Sequence, residues 1–252
     1  LHKNPELSGK EYKTTEFIKK FLTEHNIKIL PFNLKTGVVA EIGEGEKIVA
    51  LRADIDALPI NEMTDYLYKS RNDGVMHACG HDFHTASLLG ASKILKEREK
   101  GLKGRVRLIF QPAEEINAGA REVITSGALE EVSSIAGFHN KPDLPLGTIG
   151  IKSGPLMAAV DRFEVKINGT GTHAAAPQNG NDPIVTASQI VTSIQSIVSR
   201  YVSPADMAII SVTRISGGNT WNVIPESVVM EGTIRTFKKS VQERIKKLFA
   251  QV

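Results

Sequence analysis

Arg105-Val106-Arg107-Leu108-Ile109-Phe110-Gln111-Pro112-Ala113-Glu114-Glu115 runs from an apolar, β-branched and aromatic stretch straight into two adjacent carboxylates. Such a run, closed by a proline, reads as a buried strand that stops and delivers its next residues to one edge of a sheet. Upstream, residues 83–97 form a helical pattern that begins directly after Met76-His77-Ala78-Cys79-Gly80-His81-Asp82. Farther back, residues 38–42 and 48–51 are short apolar runs around Gly43-Glu44-Gly45-Glu46, which reads as a hairpin turn. The second of these passes into Arg52-Ala53-Asp54-Ile55-Asp56-Ala57-Leu58-Pro59, while Tyr12, Phe17, Ile18, Phe21 and Leu22 mark an earlier helical stripe. Downstream, residues 118–131 read as a helix and 135–138 as a strand that delivers His139. Strands alternating with helices specify an α/β unit with a central, mostly parallel sheet. In such sheets ligands gather at the carboxyl ends of the strands. Asp54 and Asp56, Glu114 and Glu115, and His139 each follow an apolar run at once.

Composition then shifts. After Gly147-Thr148-Ile149-Gly150 and Ser153-Gly154-Pro155, alternation at Phe163, Val165 and Ile167 opens a new unit. A Gly/Thr/His loop, a helix over 183–201, strands over 208–215 and 228–236, and a helix from Val241 complete it. This β-α-β-β-α order is one strand short of a split β-α-β motif. The expected division is therefore 1–155 as a metal-binding portion and 156–252 as an incomplete second domain. A start at Leu1 rather than Met and an end at Val252 inside a helical pattern make both ends read as truncated.

Lys+Arg 31 against Asp+Glu 28 leaves a net charge of +3, too small and dispersed to argue for nucleic acid. No apolar run approaches the roughly 18 residues of a membrane span. The single cysteine excludes an intramolecular disulfide, so the expected setting is a reducing cytoplasm.

The donor types decide the chemistry. Cys79 and His81 sit where a helix is about to start, and a thiolate, an imidazole and a carboxylate are the donors that zinc and its neighbours accept. A buried cysteine beside a surface histidine is the bland alternative, and a Cys79–His nucleophilic pair the sharper one. The nucleophilic scheme leaves Glu114 and Glu115 idle. A metal hydrolase uses both, one as ligand and one as the base that takes a proton from water. Asp54 and Asp56 read as groups that orient ligand imidazoles, and His139 as a ligand or a core histidine. In the second unit, Gly169-Thr170-Gly171-Thr172-His173 puts a histidine on a flexible loop, Asn222-Val223-Ile224-Pro225 flanks a strand, and Arg235 sits in an otherwise uncharged strand. An arginine so placed calls for an anionic partner such as a substrate carboxylate.

These motifs, with Leu1-His2-x-x-Pro5-Glu6-Leu7, Gly218-Asn219-Thr220-Trp221-Asn222 and Gly232-Thr233-Ile234-Arg235-Thr236-Phe237, resemble the metal-dependent aminoacylase/carboxypeptidase amidohydrolases. The similar branch contains hippurate hydrolase, N-acetyl-diaminopimelate deacetylase and indole-acetyl-amino-acid hydrolase. The resemblance implies a zinc-peptidase-like catalytic domain holding two divalent ions (zinc, manganese, cobalt or nickel), interrupted by a ferredoxin-like α+β lid that carries the contact of a homodimer. It implies Cys79, His81, Glu115 and His139 as metal ligands, Glu114 as general base and Asp56 as the acid bracing the metals. It implies His173 and Asn222 as polarising groups at the scissile carbonyl, and Arg235 as the anchor of the substrate carboxylate. Related branches carry a histidine where Asp54 stands, and a further metal-binding histidine and the closing lid strand are expected beyond Val252. The implied reaction is hydrolysis of the amide bond of small N-acyl-L-amino acids or short peptides. A non-catalytic binding protein for acylated amino acids is the alternative of another class.

Overall fold

The computed structural model describes residues 1–252, which divide into two units, Leu1–Leu146 and Gly147–Val252. The division falls ahead of the expected boundary at Pro155, because the chain from Gly147 to Pro155 joins no strand or helix of the first unit.

The first unit runs α1 (Tyr12–Glu24), β1 (Lys28–Ile29), β2 (Val38–Ile42), β3 (Ile48–Asp54), α2 (His81–Glu97), β4 (Arg105–Gln111), α3 (Gly119–Thr125) and β5 (Val132–Gly137). Its five-stranded sheet has the order β1-β2-β4-β3-β5. β4 takes a central position because all but its first side chain are buried, and only a strand flanked on both sides can bury them. Alternation sorts the side chains between two layers. Val38, Ala40, Ile42, Ala53, Val106, Leu108 and Phe110 pack with Ile18 and Leu22 of α1 and Leu88 and Leu89 of α2. Val39, Ala50 and Ile109 point the other way, against Val123 of α3 and Ala128. Each fully buried Ile, Leu or Phe contributes about 1.5–3 kcal/mol. The layers are what hold the strand ends in place.

Two expectations change here. The sheet is mixed: β3 pairs with β4 and β5 in parallel, whereas β2 pairs antiparallel with both β4 and β1. Residues 38–54 also form no hairpin, since β4 lies between β2 and β3. The Gly43–Lys47 turn instead spans two strand spacings, and β4 enters through it at close quarters. A Cβ on Gly104 would meet the Lys47 carbonyl at 2.6 Å, and one on Gly43 would meet the Gly104 carbonyl, so glycine is required at both. A local turn signal cannot reveal a strand inserted between β2 and β3 from far along the chain.

In the parallel part of the sheet, β3, β4 and β5 end at the same edge, at Asp54, Gln111 and Gly137. α2 begins at His81, two residues ahead of the expected start, after Gly80 turns the chain with φ 92°.

The second unit runs β6 (Ala159–Asn168), β7 (Thr172–His173), α4 (Pro183–Tyr201), β8 (Ala208–Gly217), β9 (Val223–Ile224), β10 (Ser227–Thr236) and α5 (Lys239–Phe249). β10 lies antiparallel between β6 and β8, the strand arrangement of a split β-α-β motif. One sheet face is covered: Ile194 and Ile197 of α4, Ile210, Ile234, and Val241 and Ile245 of α5 form a core, continued by Ala187, Val228 and Met230. α4 starts cleanly because the Asp182 carboxylate accepts the Ile184 and Val185 N–H groups, with Pro183 at the first helical position. On the other face β10 presents Val229, Glu231, Thr233 and Arg235, all less buried than their even-numbered neighbours.

Candidate metal centre

Everything converges on His81, the first residue of α2 and 1% exposed. Its Nδ1 donates to the Asp56 backbone carbonyl at 2.9 Å and approaches Asp56 Oδ1 at 3.2 Å. Because Nδ1 carries that proton, Nε2 of the neutral ring presents a lone pair. Nε2 faces Asp54 Oδ2 at 3.6 Å, Glu115 Oε1 at 3.8 Å and Glu114 Oε2 at 4.0 Å. Neither His81 Nε2 nor Glu115 Oε1 has a hydrogen-bond partner, although both are buried. A lone pair turned toward carboxylate oxygens with no donor among them is unfavourable by itself. A cation reconciles it. Cys79, His81 and His139 bring ligand atoms together, as do His81, Glu114 and Glu115, and Asp54, His81 and His84; every group shares His81. These residues fit divalent metal ions.

The electrostatics carry the same signature. Burial pushes the Cys79 thiol up to about 12, and the nearby Glu115, Glu114 and Asp54 push in the same direction. Cys79 Sγ is 3.3 Å from His139 Nε2, the spacing of a nucleophilic pair. Yet this site opposes a free thiolate, and only a cation of comparable charge would reverse that. Burial raises the Glu114 carboxyl, with Glu115 next to it adding repulsion. At Asp54 burial acts upward but is outweighed by the His84 hydrogen bond and the Arg52 charge, which hold the carboxyl down at about 2. At His81 burial acts downward and is outweighed by Asp56 and Asp54, which favour positive charge on the ring: the carboxylates around Nε2 call for a proton there, or for the metal cation that would take its place.

Asp56 sits behind the cluster: besides its contact with His81, its Oδ2 accepts the Glu115 N–H at 3.0 Å and the Ser8 hydroxyl at 2.7 Å. Asp54 holds a residue that no sequence motif had assigned a role. His84 Nδ1 lies 2.6 Å from Asp54 Oδ1, and His84 Nε2 accepts the Asn140 N–H at 2.9 Å. The spacing of His84 from His81, three residues on one helix face, was the available signal. Asp82 and His77, crowded into the same motif, do other things. Asp82 Oδ2 meets His2 Nδ1 at 2.7 Å, tying down the first residues of the chain. His77 is buried without hydrogen-bond partners, and burial draws its ring down to about 4, so it is neutral.

In the second unit β7 pairs with β9, and the Asn222 carbonyl accepts the Ala174 N–H at 3.0 Å, which brings His173 and Asn222 side by side. His173 Nδ1 accepts the Ala175 N–H at 3.1 Å, leaving the ring proton on an exposed Nε2 that can donate outward. Arg235 stands apart from both, on the open face of β10, with Val160 and Ile209 as its cross-strand neighbours. Its side chain makes no ion pair, unlike Arg162 and Arg214, which both reach Glu231, at 2.7 and 3.0 Å.

Residues 50–243 match the model of peptidase family M20/M25/M40. The chain belongs to this family. It is 58% identical to the N-acetyl-L-cysteine deacetylase of Bacillus subtilis (strain 168), a match covering 100% of this chain and 61% of that protein. It is 44% identical to the IAA-amino acid hydrolase ILR1-like 4 of Arabidopsis thaliana, covering 100% of this chain and 58% of the relative. Among solved structures it resembles the Bacillus subtilis YXEP protein, described as a dinuclear metal-binding peptidase of the M20 family, with TM-score 0.84, 50% identity and coverage of 99% of this chain and 65% of that one. A putative aminohydrolase from methicillin-resistant Staphylococcus aureus superposes with TM-score 0.94 at 35% identity, covering 100% of this chain and 68% of the other. The chain thus spans about three fifths of the length of these curated M20 relatives.

Proposed function

We propose that this M20 protein hydrolyses the amide bond of small N-acyl-L-amino acids, releasing a carboxylic acid and an amino acid. The observation that carries this reading is the orphaned Nε2 of His81 facing Asp54, Glu114 and Glu115. Cys79, His81, Glu115 and His139 would hold two divalent ions, zinc or manganese being suited to a mixed thiolate, imidazole and carboxylate set. The ions would supply positive charge at the scissile carbonyl and lower the pKa of water there to about 7.

The chain's own residues do the rest. Glu114, with its carboxyl raised by burial and by Glu115, is suited to take a proton from the attacking water. It then returns that proton to the leaving amine nitrogen. Asp56 keeps His81 in the tautomer that presents Nε2 to a metal. His173, with its proton on Nε2, would donate to the developing oxyanion, with Asn222 beside it. Arg235, uncommitted to any protein carboxylate, would bind the α-carboxylate of the substrate.

The relatives named as N-acetyl-L-cysteine deacetylase and IAA-amino acid hydrolase support an N-acyl amino acid substrate. We place the protein in the cytoplasm, where the thiol of Cys79 stays reduced, and read it as a homodimer through the second unit. No helix is long and apolar enough to cross a membrane. A panel of N-acyl amino acids assayed on the complete protein, with metal content measured in parallel, tests this reading. Metal-dependent release of free amino acid supports it, and tight binding of the same compounds without turnover would favour a binding protein.

A further inference from the structure

The Glu114–Glu115 turn is held in a conformation that its own residues do not favour. Ala113 lies at φ 49°, the left-handed region that a residue with a Cβ rarely adopts. The turn is closed by the Ala118 and Gly119 N–H groups donating to the Ala113 carbonyl at 3.2 and 3.1 Å. Gly119 packs so tightly that a Cβ there would run into the Pro112 carbonyl. Such strain persists only where surrounding structure over-determines it.

The chief restraint comes from the start of α1. Glu11, the residue preceding that helix, is 0% exposed. Its Oε1 accepts the Ala113 N–H at 2.8 Å and the Gly9 N–H at 2.9 Å, and its Oε2 accepts the Thr36 hydroxyl at 2.7 Å. The same short segment reaches the turn from its other end, because Ser8 donates to Asp56, whose Oδ2 also accepts the Glu115 N–H. Residues 8–11 therefore grip the Pro112–Ala113 peptide directly and the Glu114–Glu115 peptide through Asp56. A buried carboxylate with three neutral donors and no cation is an expensive way to begin a helix, and it makes no side-chain cap to α1.

We propose that Glu11 is a positioning residue: it fixes the left-handed Ala113 peptide and so aims Glu114 and Glu115 at His81. The inference rests on the reading of Glu114 and Glu115 given above. Glutamine at position 11 keeps an oxygen for the two N–H groups, and the Thr36 hydroxyl can turn to accept from its amide. Aspartate keeps the charge but falls one methylene short. Methionine fills the space and accepts nothing.

The test uses the complete, metal-loaded protein and its cobalt-substituted form. Glu11→Met and Glu11→Asp should each lower kcat about 10-fold or more, with KM within about 3-fold, and weaken Co2+ binding about 10-fold, the usual reach of groups that orient metal ligands. Their Co2+ absorption bands should shift. Glu11→Gln should restore kcat and Co2+ affinity to within about 3-fold of the parent, on the same scale. Leu22→Ala, in the core face of the same helix, should lower Tm while leaving kcat, Co2+ affinity and the bands unchanged. If Glu11→Met does not fold, Glu11→Asp carries the comparison. The proposal is overturned if the folded Asp or Met variant behaves like Leu22→Ala, or if Gln is as damaging as Met. Direct Glu114→Gln and Glu115→Gln variants separate the two levels. If they too are silent, the reading of the carboxylate pair has failed; if they are damaging while Glu11 variants are silent, only the present inference has.

Discussion

His81 and Arg235 are both polar residues that the sequence marks for function, yet they occupy opposite kinds of environment. His81 is 1% exposed, with one nitrogen bound to Asp56 and the other facing carboxylates without a partner. Arg235 stands exposed on an open sheet face beside Val160 and Ile209, with no carboxylate to hold it. At a buried site an unmet hydrogen-bonding valence is costly, so the geometry itself argues for a cation. At an exposed site water meets the same need, and only the residue's chemistry argues for a ligand. The first unit therefore announces its cation, whereas the second only permits its anion.

The largest expected effect is at the buried centre. Glu114→Gln should keep metal content and fold but lower kcat by at least about 10²-fold, the usual worth of a general base. Elemental analysis beside kinetics checks this, and a variant that loses metal instead would exchange the roles of the two glutamates. Next, Glu115→Gln and Cys79→Ser should weaken metal binding by roughly 10–100-fold, because an amide or a hydroxyl is a poorer donor than a carboxylate or a thiolate. Competition with a metal-binding dye reads that affinity.

Arg235→Ala sharpens the other side of the comparison. Losing a charge-assisted contact should cost about 1.5–3 kcal/mol in kcat/KM for substrates with a free α-carboxylate and almost nothing for N-acyl amines lacking it. Equal losses for both would make Arg235 structural. Arg162→Ala, which breaks an exposed ion pair on the same sheet face, should leave turnover and Tm nearly unchanged.

A last effect, read at low pH, separates stability from catalysis. Asp54, held down at about 2 by His84 and Arg52, has a folded-state pKa below its unfolded value. Its contribution to stability is therefore present above about pH 4 and is lost as pH falls toward 2. The amount is on the order of 2 kcal/mol. Denaturant midpoints of metal-free protein across that window should fall less steeply for Asp54→Asn than for the parent.

What the sequence made legible followed from local chemistry. Strand ends that carry donors, as at Glu114, Glu115 and His139, are marked by an apolar run stopping abruptly, and the structure brings them to one sheet edge. Non-local pairing was not legible. The turn at Gly43 looks the same whether β2 meets β3 or β4 comes between them, and only the burial of β4 decides. His84 and Glu11 escaped for a related reason. Their partners, Asp54 and the Ala113 peptide, are distant in sequence; His84 offered only its three-residue spacing from His81, and Glu11 offered no spacing at all. The boundary near Pro155 moved because glycine and proline mark an irregular segment without saying on which side of it the domain ends.

The central claim is that the unpartnered face of His81 exists to receive divalent cations. The most direct measurement is metal content and amide hydrolysis on one preparation of the complete protein, before chelation, after it, and after a divalent metal is returned. The account predicts two ions per chain, turnover that vanishes with them and returns with them, and loss of both in His81→Ala. Undiminished hydrolysis by protein shown to be metal-free would contradict it.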